Sequence, residues 1–276
     1  MRIAVAGLGI IGASLTRALK ENTEHTVDGW NRTRAVTAYA LKQGYIHGSV
    51  ADFTAYDVVF IALPPKASAE FLETHNFRDG AIVADICGMK KFLAEKVASA
   101  PHNYRYVGTH PMAGKETAGI EFSSADLFRG ANIVLVQSDS TDKEALQTIA
   151  DLYAKMGAGK LIVCPASYHD GKIAYTSQLP HLISNAYVKS PSAKNCLGFT
   201  GGSFQDMARV AAFNEEIWTN LFFLNRENLT AELQTLIGHL SEYLDALKEG
   251  DEEKMKALIR EGNAARERLP LGGKKK

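Results

Sequence analysis

The chain opens with a short apolar run, Arg2 to Ala6, that stops in Gly7-Leu8-Gly9-Ile10-Ile11-Gly12. An apolar run of this length ended by glycine reads as a buried parallel strand. In the loop that follows, the first glycine permits a tight turn and the second lets the backbone approach a pyrophosphate. The third lets the next helix pack closely on the strand, and that helix's N-terminus favours the phosphate charge. Such a spacing is common by chance. Its position between a strand and a helix, expected from about Ile11 to Glu21, is what points to dinucleotide binding by Gly7, Leu8, Gly9, Ile10, Ile11 and Gly12.

The pattern continues as alternating strands and helices. Further strands are expected at Thr26 to Trp30, Val58 to Leu63 (stopped by Pro64-Pro65), Ala81 to Ile86, Tyr106 to Gly108, Asn132 to Val136 and Lys160 to Cys164. Helical patterns at Arg34–Gln43, Lys66–Glu73 and Lys143–Met156 lie between them. This alternation predicts crossover units and an α/β fold: a Rossmann-type, doubly wound, mostly parallel sheet. After Pro165 the strand signal stops. Tyr168 to Lys189 carries an apolar helical stripe interrupted or kinked at Pro180, and Glu215 to Asn225 is another helix. Beyond it Leu229, Leu233, Leu236, Leu240, Tyr243 and Leu247 recur at helical spacing, Gly250 caps the helix and Asp251 begins one more. The domain boundary is therefore expected near residues 163–167, with a dinucleotide-binding domain over 1–165 and an all-helical domain over 166–276.

Bulk properties exclude several classes. Of 276 residues, 31 are basic and 31 acidic, so no long-range field draws the chain to nucleic acid or to an anionic membrane. The terminal Lys274-Lys275-Lys276 run reads as a solvated tail. Cys87, Cys164 and Cys196 are scattered and odd in number, which argues against a disulfide framework and against a metal site. No apolar run is long enough to span a bilayer, and no leader precedes the first strand. A cytoplasmic protein is expected.

The end of the second strand bears on which dinucleotide is bound. An NAD-binding domain usually places Asp or Glu there to hold the ribose hydroxyls. This chain instead reads Asn31-Arg32-Thr33-Arg34. Arg32 can pair with a 2′-phosphate or stack on adenine, and Asn31 and Thr33 can donate hydrogen bonds. Asp28, within the strand, is expected to point away. These residues favour NADP, with NAD possible; a solvated arginine pair is the bland alternative.

Gly108-Thr109-His110-Pro111-Met112-Ala113-Gly114 places a histidine on what reads as a stiff Pro-Met turn among small residues, and such a histidine can take a proton near neutral pH. His181, Arg209 and Trp218 follow in order. Taken singly, His181 and Trp218 read as packed helical residues and Arg209 as a surface charge. Taken together with Asp85-Ile86-Cys87-Gly88-Met89-Lys90, His169-Asp170, Ser177-Gln178-Leu179-Pro180-His181 and Gly201 through Arg209, the ordered set resembles the prephenate/arogenate dehydrogenase family of tyrosine biosynthesis. The resemblance covers nearly the whole chain.

It implies an enzyme that oxidatively decarboxylates a cyclohexadienol, giving 4-hydroxyphenylpyruvate or tyrosine, and a helical domain that builds a homodimer. It implies that His110 meets the substrate hydroxyl as the base, that Arg209 holds a substrate carboxylate, and that His181, Trp218 and Gly202 line the substrate pocket. Leu63 and Gly88 join the cofactor-facing set. The chain departs from the pattern where many members carry serine, here Gly88; backbone groups, a water or Thr109 are candidates to replace that hydroxyl. Gln178 stands where the family often has a histidine. Glu116, six residues past His110, reads as a partner for a substrate ammonium or as a solvated charge. An NADP-linked 3-hydroxy acid dehydrogenase shares the Asn-Arg-Thr ending, but its Gly-x-x-x-Lys-x-x-x-Asn helix is not found here. A dinucleotide-sensing protein without chemistry would need the glycine loop but not His110 with Arg209.

Overall fold

The computed structural model describes residues 1–114, 117 and 119–269. Seven strands, β1 (Arg2–Ala6), β2 (Thr26–Trp30), β3 (Val58–Ile61), β4 (Ile82–Asp85), β5 (Arg105–Pro111), β6 (Ile133–Val136) and β7 (Leu161–Cys164), form one sheet in the order β2-β1-β3-β4-β5-β6-β7. Every neighbouring pair is parallel except β5 with β6. The central strands are apolar throughout because both faces are covered, and the residues of β1 from Ile3 to Ala6 have no exposed surface. Alternation sends Ile3, Val5, Val58 and Phe60 to one core, and Ala4, Ala6, Val59 and Ile61 to the other.

Helices α1 (Ile10–Asn22), α2 (Arg34–Lys42), α3 (Pro65–Thr74), α4 (Lys91–Ala98) and α5 (Lys143–Lys155) accompany the sheet. The chain then runs through α6 (Ala166–Ile173), a π-helical turn (Ala174–Gln178), α7 (Leu179–Tyr187), α8 (Gly202–Ala208), α9 (Glu215–Leu224), α10 (Arg226–Glu249) and α11 (Glu252–Glu267). Helices α4 and α8 are additions to the sequence expectation. The interruption expected at Pro180 takes the form of the π turn just before it. Gly250 adopts φ +68° after α10, and Asp251 caps α11 by accepting from the Lys254 N–H.

Two compact units emerge. The first holds Met1–Ile173 with Ala212–Asn225; the second holds Ala174–Ala211 with the chain from Arg226 on. Helix α6 and the segment carrying α9 thus belong with the sheet, although both follow the sequence boundary near 163–167. Asn225 helps to fix that segment: its Nδ2 donates to the Asp170 carbonyl at 2.9 Å. In the second unit, Leu229 of α10 is buried, while Ile237, Leu240, Leu244 and Leu247 remain exposed on the same helix. Among the described residues no helix is long and apolar enough to cross a membrane. The Lys274–Lys276 run and Glu116 lie outside the described residues.

Strand order turns back at β1 and β3, so the loop after β1 sits where neighbouring connections leave the sheet in opposite directions. Gly7 has φ +96°, and a Cβ there would meet the Ala62 carbonyl oxygen at 2.4 Å. A Cβ on Gly12 would meet the Gly7 carbonyl oxygen at 1.8 Å, whereas one on Gly9 would find nothing within 4 Å. We therefore expect Gly12→Ala to cost about 1–3 kcal/mol or more through overpacking, and Gly9→Ala to stay within about 0.5 kcal/mol of the parent. Urea unfolding of the two variants checks this, and equal stabilities would refute the packing role of Gly12.

Candidate active site

All the parallel strand ends that carry candidate residues lie on one edge of the sheet in the first unit. Gly7–Gly12 follows β1, Asn31–Thr33 follows β2, Leu63 lies just past β3 and Gly88 past β4, while His110 is near the end of β5. The glycine loop fits a dinucleotide. Helix α1 starts from Gly9 with no side-chain cap and no acidic residue in its first turn, so its N-terminal amides and dipole remain available to an anion. Leu8 turns its side chain into the core, and its N–H donates to Asn31 Oδ1 at 3.0 Å. Asn31 is therefore the latch between the β2 end and the glycine loop, with its Nδ2 toward the Thr33 carbonyl at 3.4 Å. Arg32 and Thr33 are exposed beside it. Asp28 points away, as expected: it is buried and accepts from the Tyr56 hydroxyl at 2.8 Å. Leu63 lies against Gly7, and its carbonyl accepts from the Ser68 hydroxyl and the Cys87 thiol, which ties the β3 and β4 ends together.

His110 occupies a strand rather than the turn expected for it. Beyond Gly108 the β4 ladder has ended, and β5 continues against β6 with His110 opposite Val134 and Pro111 opposite Ile133. Proline is accepted at such a strand end. Alternation then separates Thr109 from His110. Thr109 is fully buried, donates to the Asp85 carbonyl at 2.8 Å and meets the Tyr153 hydroxyl at 3.1 Å. Its hydroxyl is committed to the interior, so Thr109 does not replace the serine missing at Gly88.

The His110 imidazole is held from behind. Its Nδ1 lies 2.8 Å from His169 Nε2, and His169 Nδ1 lies 2.7 Å from Asp170 Oδ1. Asp170 also accepts from the Lys90 N–H at 3.0 Å and the Lys91 N–H at 2.9 Å, capping α4 from 80 residues away. Two backbone amides at a helix start thus meet this carboxylate. It can only accept, so His169 carries its proton on Nδ1 and offers Nε2 as an acceptor. His110 must then donate from Nδ1, which leaves Nε2 with a free lone pair. The Cβ position of Gly88 is 3.7 Å from that Nε2. Burial above all, then the neighbouring His169 and the Lys90 ammonium, push His110 well below the ordinary imidazole range. It is neutral at neutral pH.

Beneath this sits a buried ion pair. Lys90 and Asp85 have no exposed side-chain surface and are directly bonded, and Lys90 Nζ also donates to the Thr109 carbonyl at 2.6 Å. Asp85 accepts from the Cys87 N–H at 2.8 Å and the Tyr106 hydroxyl at 2.6 Å. The roles of Lys90, His169 and Asp170 were missed in the sequence reading, which quoted all three only as parts of motifs. The available signal was a buried-looking His-Asp dipeptide within the helical stretch that follows Pro165.

The remaining predicted residues fall elsewhere. Trp218 lies on α9 in the first unit, in contact with Phe213 and Phe222 at ring distances of 5.2 and 5.5 Å. His181, Gly202 and Arg209 lie in the second unit. There the structure brings α7 and the end of α8 together: Ser184 donates to the Met207 carbonyl, and Asn185 to the Ala211 carbonyl at 3.0 Å. His181 is half-buried with Nδ1 at 2.8 Å from the Ser177 carbonyl, while Arg209 is exposed. Among the described residues no His/Cys/Asp/Glu cluster could hold a metal ion.

A dinucleotide cradle at the sheet edge beside a neutral, oriented imidazole defines an NAD(P)-dependent oxidoreductase. Residues 15–163 match the model for the prephenate dehydrogenase nucleotide-binding domain, and residues 165–261 that for the prephenate dehydrogenase dimerization domain. The chain belongs to the prephenate dehydrogenase family. It is 27% identical over 277 residues to the cyclohexadienyl dehydrogenase of Zymomonas mobilis, covering 96% of this chain and 94% of that one. It is 25% identical over 283 residues to the prephenate dehydrogenase of Bacillus subtilis, covering 98% and 76%. The solved structure of Synechocystis arogenate dehydrogenase superposes with a TM-score of 0.81 at 26% identity, covering 97% of this chain and 99% of that one.

Proposed function

We propose that this chain is a prephenate or arogenate dehydrogenase that prefers NADP and works as a homodimer. The observation that carries the chemistry is His110: neutral, fixed through Nδ1, with Nε2 toward Gly88 at the sheet edge that also carries the glycine loop. Its Nε2 takes the proton from the hydroxyl of the cyclohexadienol. The dinucleotide, when bound, supplies the acceptor for the hydride from the carbon bearing that hydroxyl. Departure of the ring carboxylate as carbon dioxide makes the ring aromatic and drives the reaction. Family resemblance supports Arg209 as the bidentate partner of a substrate carboxylate, and His181, Trp218 and Gly202 as substrate-contacting positions. The relatives are named for prephenate, cyclohexadienyl and arogenate substrates, which supports the class and leaves its two side chains, keto acid and amino acid, as the pair to assay.

The direct test is kcat/KM for both substrates with both cofactors. His110→Asn should leave cofactor affinity and the circular dichroism spectrum in place and lower kcat by about 10²–10⁴-fold, the usual contribution of a general base. Arg209→Ala should act on KM instead. A His110→Asn enzyme with the parent's kcat would remove His110 from the mechanism, and an unchanged KM would remove Arg209 from substrate binding.

NADP preference rests on Asn31, Arg32 and Thr33, which offer a cation and no carboxylate at the β2 end. Arg32→Ala should weaken NADP more than NAD, by the roughly 1.5–3 kcal/mol of a charge-assisted hydrogen bond. Equal or better kcat/KM with NAD in the parent enzyme would overturn the preference.

The dimer reading rests on the match to the dimerization domain and on Ile237, Leu240, Leu244 and Leu247, an exposed apolar stripe at helical spacing along α10. Sedimentation at micromolar concentration should give a dimer; a clean monomer would refute it.

A further inference from the structure

We propose that the proton His110 takes from the substrate comes to rest on His169, whose imidazolium is held by Asp170. His169 is thus a positioning residue that also stores the proton behind the base. This rests on the reading of His110 as the base and gives that base a second half.

The starting point is a mismatch. His110 is neutral and correctly oriented, but its surroundings make it a weak proton acceptor. Burial, His169 and the Lys90 ammonium all disfavour a cation there. A positive charge on its ring would also meet the field of the Lys90 ammonium. The carboxylate of the cluster, Asp170, lies one ring further back, 2.7 Å from His169 Nδ1. His169 and Asp170 are each only 2% exposed, so a cation on His169 is paired where water is excluded. Coulomb attraction in such surroundings is strong.

The transfer balances. His110 Nε2 gains the hydroxyl proton. The proton on His110 Nδ1 crosses 2.8 Å to His169 Nε2. His169, already protonated on Nδ1, becomes the imidazolium, and His110 ends neutral with its proton on Nε2. After product leaves, the Nε2 proton passes to water, His169 returns its own to His110 Nδ1, and the starting tautomers are restored. Asp170 does not take the proton, because its oxygens accept from the Lys90 and Lys91 amides.

The groups facing the pair agree with this. From the start of α4 come Lys90, just before the helix and paired with Asp85, and Lys91, whose ammonium lies 3.8 Å from Glu95 at the surface. From β7 comes the Cys164 thiol, raised by burial and then by Asp170, and therefore neutral. The α9 segment supplies Asn225, which donates to the Asp170 main chain. Strand β6 is apolar. Asp170 is the one anion in contact with His169 among the described residues.

The test uses His169→Gln. Glutamine keeps an acceptor for the His110 Nδ1–H, so the tautomer survives, but it cannot bind a proton. Both enzymes are assayed with the substrate and cofactor pair that the parent turns over, across the acidic and neutral range. We expect kcat on the plateau to fall by about 10²-fold and the acidic limb of kcat/KM to move to lower pH, since only the weaker site is left to titrate. A limb that stays in place while kcat falls would make His169 structural and overturn the proposal, as would an unchanged kcat. ¹⁵N-histidine NMR of the free parent enzyme gives a readout independent of turnover. On acidification the first of the two rings to carry both protons should be His169, assigned by comparison with His110→Asn and His169→Gln. If it is His110, the proposal fails. If the parent turns over neither cyclohexadienol, the reading of the reaction fails, and the NMR titration still decides where the proton rests. The same titration decides the matter if His169→Gln does not fold.

Discussion

Lys90 is the residue on which the position of the His110 ring depends. It reaches the ring by two routes. Through Nζ it holds the Thr109 carbonyl, one residue before His110 on β5. Through its backbone N–H it holds Asp170, which holds His169, which holds His110. The two routes close a circuit that joins β4, β5, α4 and α6. The cost of a lysine with no exposed side-chain surface is met by Asp85, whose remaining acceptor positions go to the Cys87 amide and the Tyr106 hydroxyl. Such a pair adds little net stability compared with a well-packed apolar pair. Losing one partner would cost about 3–5 kcal/mol, because the other charge would be left buried alone. The circuit is thus a device for position more than for stability.

The same arrangement sorts the charges. The ammonium of Lys90 lies on the His110 side of the cluster and helps to keep that ring neutral. The carboxylate of Asp170 lies on the far side of His169. An oxidation that begins by removing a hydroxyl proton needs a ring that is empty at the start and can be relieved afterwards. In the reaction proposed here, placing the anion one ring behind His110 meets both needs, whereas a carboxylate directly against His110 would favour its protonation beforehand.

How much of this could be read in the sequence follows from the range of the interactions. The glycine loop, Asp28 turned inward and the capping of α11 by Asp251 depend on neighbours close in the chain or in the β-strand period, and were legible. The stripe on α10 was legible as helical, but which part of it is covered was not: Leu229 is buried and Leu247 exposed. His110 was read on a turn because His-Pro-Met looks like one; its strand depends on pairing with β6, about 25 residues further on. Helix α4 was missed because its N-terminus carries no local cap. The cap is Asp170, 80 residues away. His169 and Asp170 were visible as residues, but their meeting with His110 is a product of topology, since α6 has to pack beside α4 before the rings can touch.

Gly88 gives the departure from the family pattern a physical meaning. Its Cβ position is in ordinary contact with His110 Nε2 and Cε1, at 3.7 Å from each. A serine there would set a hydroxyl beside Nε2, the atom proposed to take the proton, so that the ring could share its hydrogen bonds on that side. Glycine places no such group there. Support for the imidazole in the described structure therefore comes from Nδ1, through His169, Asp170 and the amides of Lys90 and Lys91. With no side chain at position 88, the ring is oriented through Nδ1 by a His-Asp pair that itself belongs to the family pattern, while burial above all lowers its affinity for a proton.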